Sequence, residues 1–439
     1  MSESIGPKQQ PSNVIRSNTR EDSRAHLLWI LLALPLVFHL LLVSLTQRDA
    51  NFNRLDILFN TVVLGYAAIG VLLLWWPRYL SRYLLLCYSL LISFVFAESI
   101  LNFFHPCPNV RTPYGPAAVQ EFCVGDSMPG ISAGRSVVTI NSRGVRGPDV
   151  PLDQADLRIL CIGGSTTECW YVSDEKTWPW RLQSLLSQVL SKKVIVDNAG
   201  LSGHFTRHHI YQIKNYDPVS KYDYILVLCG FNDAYCFLRE NYDQRIERIA
   251  NEALTPDYSQ QVYYRRSASI RIGRSIFYKY CQRIGITQDS AGEYINAERQ
   301  KRQQAIARKR QDSIPDGLDE ALQRYERDLL ELIQSCRRQG VNLVMITQPT
   351  LYKEDLAPEL DQLIWMTTAS VSDILKVLNR FNQAMLDLCH RESIDCIDLA
   401  SRLPKDTSIF YDDCHFNDSG CESVAQVVSE HLKQVFTNR

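Results

Sequence analysis

Two kinds of apolar pattern divide the chain. Before residue 105 the apolar positions run on almost without interruption, whereas beyond residue 150 they come in short blocks. The first kind comprises residues 26–45 (HLLWILLALPLVFHLLLVSL), 57–76 (ILFNTVVLGYAAIGVLLLWW) and 83–104 (YLLLCYSLLISFVFAESILNFF). The first two runs contain no Asp, Glu, Lys or Arg, and the third contains only Glu98, near its end. Each is long enough to cross a bilayer as a helix. Three such runs in succession, joined by short polar loops, predict a transmembrane region at 26–104 behind a polar tail at 1–25. A cleaved signal peptide fits poorly, because the polar lead-in is long and two further runs follow the first.

Basic residues give this region an orientation. The tail carries Lys8, Arg16, Arg20 and Arg24, and the loop between the second and third runs carries Arg78 and Arg82. The loop between the first and second has Arg48 and Arg54. Three spans put the tail inside and all that follows residue 104 on the extracytoplasmic side; two spans would leave it inside. Glu98 decides between them, and its place near the end of its run lets it reach the interface. The expectation is three spans.

The second kind of pattern starts after a stretch rich in proline. Pro106, Pro108, Pro113, Pro116, Pro129 and Pro148 mark residues 105–152 as an irregular lead-in. Short apolar blocks follow at 157–162, 194–197, 223–229, 341–347 and 394–398, each readable as a buried strand. Helical spacing of apolar residues separates them at 178–190, 322–336 and 377–390. Strands alternating with helices predict a parallel five-stranded sheet covered on both faces. Residues 240–315 break the alternation, and their basic run RQKRQQAIARKRQ reads as a solvated inserted helix. A surface for an anionic polymer or lipid headgroups is the sharper alternative.

Composition narrows the function classes. A formal net charge of −1 leaves no electrostatic footprint for nucleic acid. Thirteen cysteines are present without a CxxC pair, which argues against a zinc ribbon or finger. Outside the cytoplasm some of them would form disulfides.

Ligands of open parallel sheets bind beyond the carboxyl ends of the strands. Those ends carry polar blocks here: Gly163-Gly164-Ser165-Thr166, then DNAGLSGH (197–204), GFND (230–233) and YDDCHFNDSG (411–420). They supply the parts for acyl transfer. Ser165 is the candidate nucleophile, His415 the base and Asp412 the group that orients the imidazole. The Ser165 N–H, the Gly203 N–H and the Asn232 side-chain amide are candidate donors to an oxyanion. Singly, each has a blander reading: Ser165 as a helix N-cap, Asn232 as a turn residue, Asp412 or Asp413 as a loop acid. His204 and His208 are spaced for metal ligation on a helix, but no third ligand is evident nearby.

The order of these blocks resembles the SGNH hydrolases, the GDSL esterase and lipase superfamily. The four family letters fall on Ser165, Gly203, Asn232 and His415, and the acid of the last block falls on Asp412. The resemblance covers 153–437 apart from the 240–315 insertion. It implies a flavodoxin-like three-layer α/β/α sandwich and a serine esterase working through an acyl-enzyme, with no metal or organic cofactor. The implied partner is an ester-bearing substrate, an O-acetylated glycan or an acyl lipid, besides the bilayer. Transfer of the acyl group to an envelope polysaccharide, or a non-catalytic binding role in the envelope, are the alternatives. The chain departs from the family where Gly164 replaces the usual aspartate and Phe231 a frequent glycine. Gly200 rivals Gly203 as an oxyanion donor. Cys161 and Cys229 fall inside strands as buried thiols, and Cys169–Cys236 and Cys414–Cys421 are the disulfide candidates.

Overall fold

The computed structural model describes residues 119–124, 128–238, 314–361, 363–364 and 369–437, with scattered positions between 79 and 101 and residue 276. The chain divides into two compact units, Met1–Cys107 with Gln261–Tyr280 and Pro108–Gln260 with Cys281–Arg439. The expected spans at 26–45 and 57–76 lie outside the described residues, as does nearly all of the insertion. Of the run at 83–104 only scattered helical positions are described. Among the described residues no helix is long and apolar enough to cross a membrane.

In the second unit the alternation of strand and helix is realised. The strands are β3 (Leu157–Gly163), β4 (Val194–Asn198), β5 (Tyr224–Cys229), β6 (Asn342–Thr347) and β7 (Asp395–Ile397), preceded by a hairpin, β1 (Val119–Val124) and β2 (Gly134–Thr139). The main helices are α1 (Ser165–Glu168), α2 (Trp178–Leu190), α3 (Thr206–Asn215), α4 (Phe231–Leu238), α5 (Leu318–Gln339), α6 (Val371–Glu392) and α7 (Asp418–Thr437). The five-stranded sheet runs β4-β3-β5-β6-β7, with every pair parallel. Counted within the sheet this is the order 2-1-3-4-5 of flavodoxin-like folds, whose crevice opens where the order reverses. Here that is between β3 and β5.

The two-residue period of the strands sorts their side chains into two cores. Ile159 and Cys161 of β3, Leu226 and Leu228 of β5, and Val344 and Ile346 of β6 pack with Trp178, Leu182 and Leu186 of α2 and with Val424, Val428 and Leu432 of α7. Leu160, Ile162, Ile225, Val227 and Met345 point the other way, against α3, α5 and α6. The spacing of Trp178, Leu182 and Leu186 is that of one helical stripe. Helices α5 and α6 begin earlier than their apolar patterns suggest. Ser370 caps α6 by accepting from the Asp373 N–H at 3.1 Å, and so extends the helix through a polar first turn.

The lead-in is more ordered than its prolines predict. Between Pro116 and Pro129 there is room for β1, which pairs antiparallel with β2 from Val119↔Thr139 to Val124↔Gly134. Further bridges link Ile140 to Arg146 and Arg146 to Asn198, at the end of β4. Arg143 then forms a pair with Asp197 at 2.8 Å, and Asn141 and Tyr222 donate to the same buried carboxylate. Burial pushes the Asp197 pKa up despite these donors.

The disulfide candidates do not form. Cys169, Cys236, Cys414 and Cys421 are not joined to one another by disulfides. Cys169 belongs to the core under α2 and α7, whereas Cys236 sits in α4, whose neighbours Ala234 and Phe237 pack on the opposite face of the sheet. The Cys169 sulfur instead lies 3.8 Å from that of Cys421, while Cys414 lies beside the His415 ring at 3.7 Å. Sequence neighbourhood at a strand end says nothing about which face a side chain takes. Cys161 and Cys229 are buried in their strands, as expected.

Candidate active site

Three of the four polar blocks follow β3, β4 and β5, the strands on either side of the crevice. Ser165 opens α1, a single turn that ends when Cys169 enters the left-handed region at φ 53°. Its neighbours Gly164 and Thr166 are buried, whereas Ser165 is only partly so. Gly164 has a steric reason to be glycine: a Cβ there would lie 2.8 Å from the Asn232 amide nitrogen. The departure from the family's aspartate thus leaves room for the Asn232 side chain, at the start of α4.

His415 reaches this turn from the loop before α7. Its Nε2 lies 2.6 Å from Ser165 Oγ, and its Nδ1 lies 2.6 Å from Asp412 Oδ2. Asp412 is fully buried, and its other oxygen accepts from the backbone N–H groups of His415 at 2.7 Å and Cys414 at 3.1 Å. The carboxylate is therefore held by the same loop that carries the imidazole. The loop is closed by the pairing of Phe410 with Phe416, and the Tyr411 ring stacks on the His415 ring with centroids 5.5 Å apart. Burial disfavours the charged imidazolium, but the Asp412 carboxylate outweighs it, and the pKa of His415 is raised.

The candidate oxyanion donors stand at the ends of neighbouring strands. Asn232 Nδ2 donates to the His204 carbonyl at 2.7 Å, so β5's block is tied to the residue after Gly203. Gly203 has φ 76° and faces open space, with nothing within 4 Å of where a Cβ would be. Its rival Gly200 is placed differently. Its N–H is taken by Asn198 Oδ1 at 2.9 Å, and a Cβ would meet Glu168 N at 2.4 Å. Gly200 is therefore a packing glycine under the nucleophile turn.

Several residues at the site carried no signal of their own in the sequence. Thr166 bonds Gln348 after β6 at 2.9 Å, and Trp178 donates its indole N–H to the Thr166 carbonyl at 3.2 Å. Asn198 donates to the Thr167 carbonyl at 2.7 Å, and the Arg146 guanidinium to those of Glu168 and Cys169. Asp233, next to Asn232, is buried and accepts from the Thr206 N–H at 3.2 Å. Burial raises its pKa to about 7. Phe231 turns to the core and stacks on Tyr235. The His204 and His208 rings stack face to face with centroids 4.4 Å apart, and burial lowers their pKa values to about 2 and 4. Stacked faces do not aim two nitrogen lone pairs at one ion.

Residues 161–422 match the model of the GDSL-like lipase/acylhydrolase family. The chain belongs to this family. A GDSL-like acylhydrolase acts on ester bonds, and the blocks carrying Ser165, Gly203, Asn232, Asp412 and His415 all lie inside the matched stretch. Solved structures similar to this GDSL-like acylhydrolase include an acetylxylan esterase from Geobacillus stearothermophilus, 12% identical, with 63% of this chain and 94% of that one covered and a TM-score of 0.37. Another is an α/β hydrolase enzyme from the metagenome of Lake Arreo, Spain, 12% identical, covering 63% and 95% of the two chains with a TM-score of 0.36. No curated protein matches the chain.

Proposed function

We propose that this GDSL-like acylhydrolase is a membrane-anchored serine esterase whose catalytic domain lies on the extracytoplasmic side. One observation carries the catalytic part: Ser165 Oγ, His415 and Asp412 form a continuous hydrogen-bonded chain with both links at 2.6 Å. In the first half-reaction Ser165 Oγ attacks the ester carbonyl and passes its proton to His415 Nε2. The imidazolium is stabilised by Asp412, to which Nδ1–H donates, and returns the proton to the leaving alcohol. Asn232, Gly203 N–H and Ser165 N–H donate to the oxyanion. Water, deprotonated by His415, then releases the acid from the acyl-enzyme.

The anchoring rests on the three apolar runs before residue 105 and on the basic residues that flank them. An extracytoplasmic site suits an envelope substrate, an O-acetylated glycan or an acyl lipid. The test is covalent labelling of the full chain in detergent by a fluorophosphonate, with the modified residue located by mass spectrometry. Label on Ser165, absent in Ser165→Ala, is the expected result. Label elsewhere, or none, removes the nucleophile assignment. Turnover of acetylated xylo-oligosaccharide against a short-chain diacyl glycerolipid then separates the two substrate classes.

A further inference from the structure

The nucleophile turn is a weak element by itself. The turn has only two internal rungs, Glu168 N–H to the Gly164 carbonyl at 3.0 Å and Cys169 N–H to the Ser165 carbonyl at 2.9 Å, and its last carbonyls have no partners within the helix. In this protein they are satisfied from outside, and the largest share comes from a residue that the family match does not include. Arg146 precedes residue 161, where that match begins. It is 2% exposed, and its Nη1 donates to the carbonyls of Glu168 at 2.7 Å and Cys169 at 2.8 Å. Nη2 donates to the Val172 carbonyl, and Nε to Asp174 Oδ1 at 2.6 Å. Its backbone is fixed as well, by reciprocal bonds with Asn198 at 2.8 and 2.7 Å.

We infer that Arg146 is a positioning residue for the esterase reaction, acting through the carbonyls of the turn that carries Ser165. The inference rests on Ser165 being the nucleophile, as proposed above. A guanidinium suits the task because it is a planar fork with several donors, which can serve carbonyls on either side and a carboxylate at once. Its charge also complements the negative end of the short helix. A lysine would supply the charge without the fork. Asp174 sets the fork's angle, and it is held in turn by the Thr139 N–H at 2.9 Å. The end of the hairpin, through Thr139 and Asp174, thus helps to hold the guanidinium against the last carbonyls of the turn that Ser165 opens. When the guanidinium is lost, the turn relaxes and Ser165 Oγ drifts from His415 Nε2. Misplacement by about 1 Å costs on the order of a hundredfold in rate.

The test uses the full chain in detergent, with wild type, Arg146→Lys and Asp174→Asn normalised to folded protein by near-ultraviolet circular dichroism. The readouts are the rate of Ser165 labelling by a fluorophosphonate, and kcat and KM on a chromogenic acetyl ester. Arg146→Lys should slow both labelling and kcat about a hundredfold, with KM within about threefold of wild type. Asp174→Asn should slow both in the same proportion to each other, but by less. A role confined to overall stability would lower the melting temperature and leave the labelling rate per folded molecule unchanged. A wild-type labelling rate in folded Arg146→Lys overturns the inference; if that variant does not fold, a wild-type rate in Asp174→Asn does so. Failure of wild type to label at Ser165 would instead overturn the nucleophile assignment, and this inference with it.

Discussion

At the scale of single residues, the geometry around His415 makes two separable demands. As a base, His415 must be neutral, yet Asp412 holds its pKa above the ordinary histidine value of about 6.5. The acid limb of kcat/KM should therefore have its midpoint above that value. Asp412→Asn removes the charge that raises it, so the midpoint should move to lower pH while the plateau falls by about 10³- to 10⁴-fold. An unmoved midpoint in the pH–rate profile would separate Asp412 from the base. The linked effect on the fold has the opposite sense. Because the folded pKa is raised, the pair's stabilisation is complete below the unfolded value and is lost as pH rises through the folded one. Asn232 and Asp233 divide along another line. Asn232→Ala should lower kcat about 10²- to 10³-fold with little change in KM, since a donor to the oxyanion acts in the transition state. Asp233→Ala leaves the buried Thr206 N–H without its acceptor, and should cost about 1–3 kcal/mol of stability with a much smaller loss of kcat. Chemical denaturation beside steady-state kinetics reads both.

At the scale of elements, the site depends on loops of the second and third strands lying directly against the turn of the first. Gly200 is the contact through which β4's loop supports α1. A methyl group there would meet backbone atoms, Glu168 N at 2.4 Å and the Thr167 carbonyl carbon at 2.7 Å, neither of which can swing aside. Gly200→Ala should therefore destabilise the domain by about 1–3 kcal/mol and slow turnover together. Gly203→Ala meets no atom and carries only the strain of its positive φ, roughly 1–2 kcal/mol. Its N–H remains in place, so kcat should be retained more fully. Equal kcat losses in the two variants would contradict this division of roles. The contrast could not be drawn from NAGLSG alone, where the two glycines look interchangeable.

At the scale of the whole molecule, the proposed anchor fixes which side of a membrane the site serves. An alkaline phosphatase fused after Arg439 should be active and a fluorescent protein at the same position dark, because the three proposed spans would carry that end across the bilayer. The reverse pair of signals would mean two spans and a cytoplasmic site. The free thiols of the hydrolase unit set a related expectation. The Cys421 thiol donates to Cys169 Sγ at 3.8 Å without a disulfide, so both should react with a maleimide after unfolding without reductant.

The local pattern determined the kind of fold and most of the site chemistry. Strand blocks such as ILCI and YILVLC are apolar on both faces, and a parallel sheet between two helical layers is what satisfies them. The polar blocks at their ends then had to lie along one edge, which brought Ser165, Gly203 and Asn232 into question together. His415 and Asp412 were legible because three residues in one loop suffice to join an imidazole to a carboxylate. Tertiary structure alone decided what depends on facing and on distance through space. It set the strand order 2-1-3-4-5, the burial of Cys169 against Cys421 rather than Cys236, and the difference between Gly200 and Gly203. It also brought Arg146, 19 residues before Ser165 in the sequence, beneath the nucleophile turn. A lone arginine in a proline-rich stretch shows no periodicity and belongs to no motif. Its role exists only because the segment after the hairpin bridges to Asn198 at the end of the edge strand β4, where the carbonyls of a one-turn helix are in need of donors.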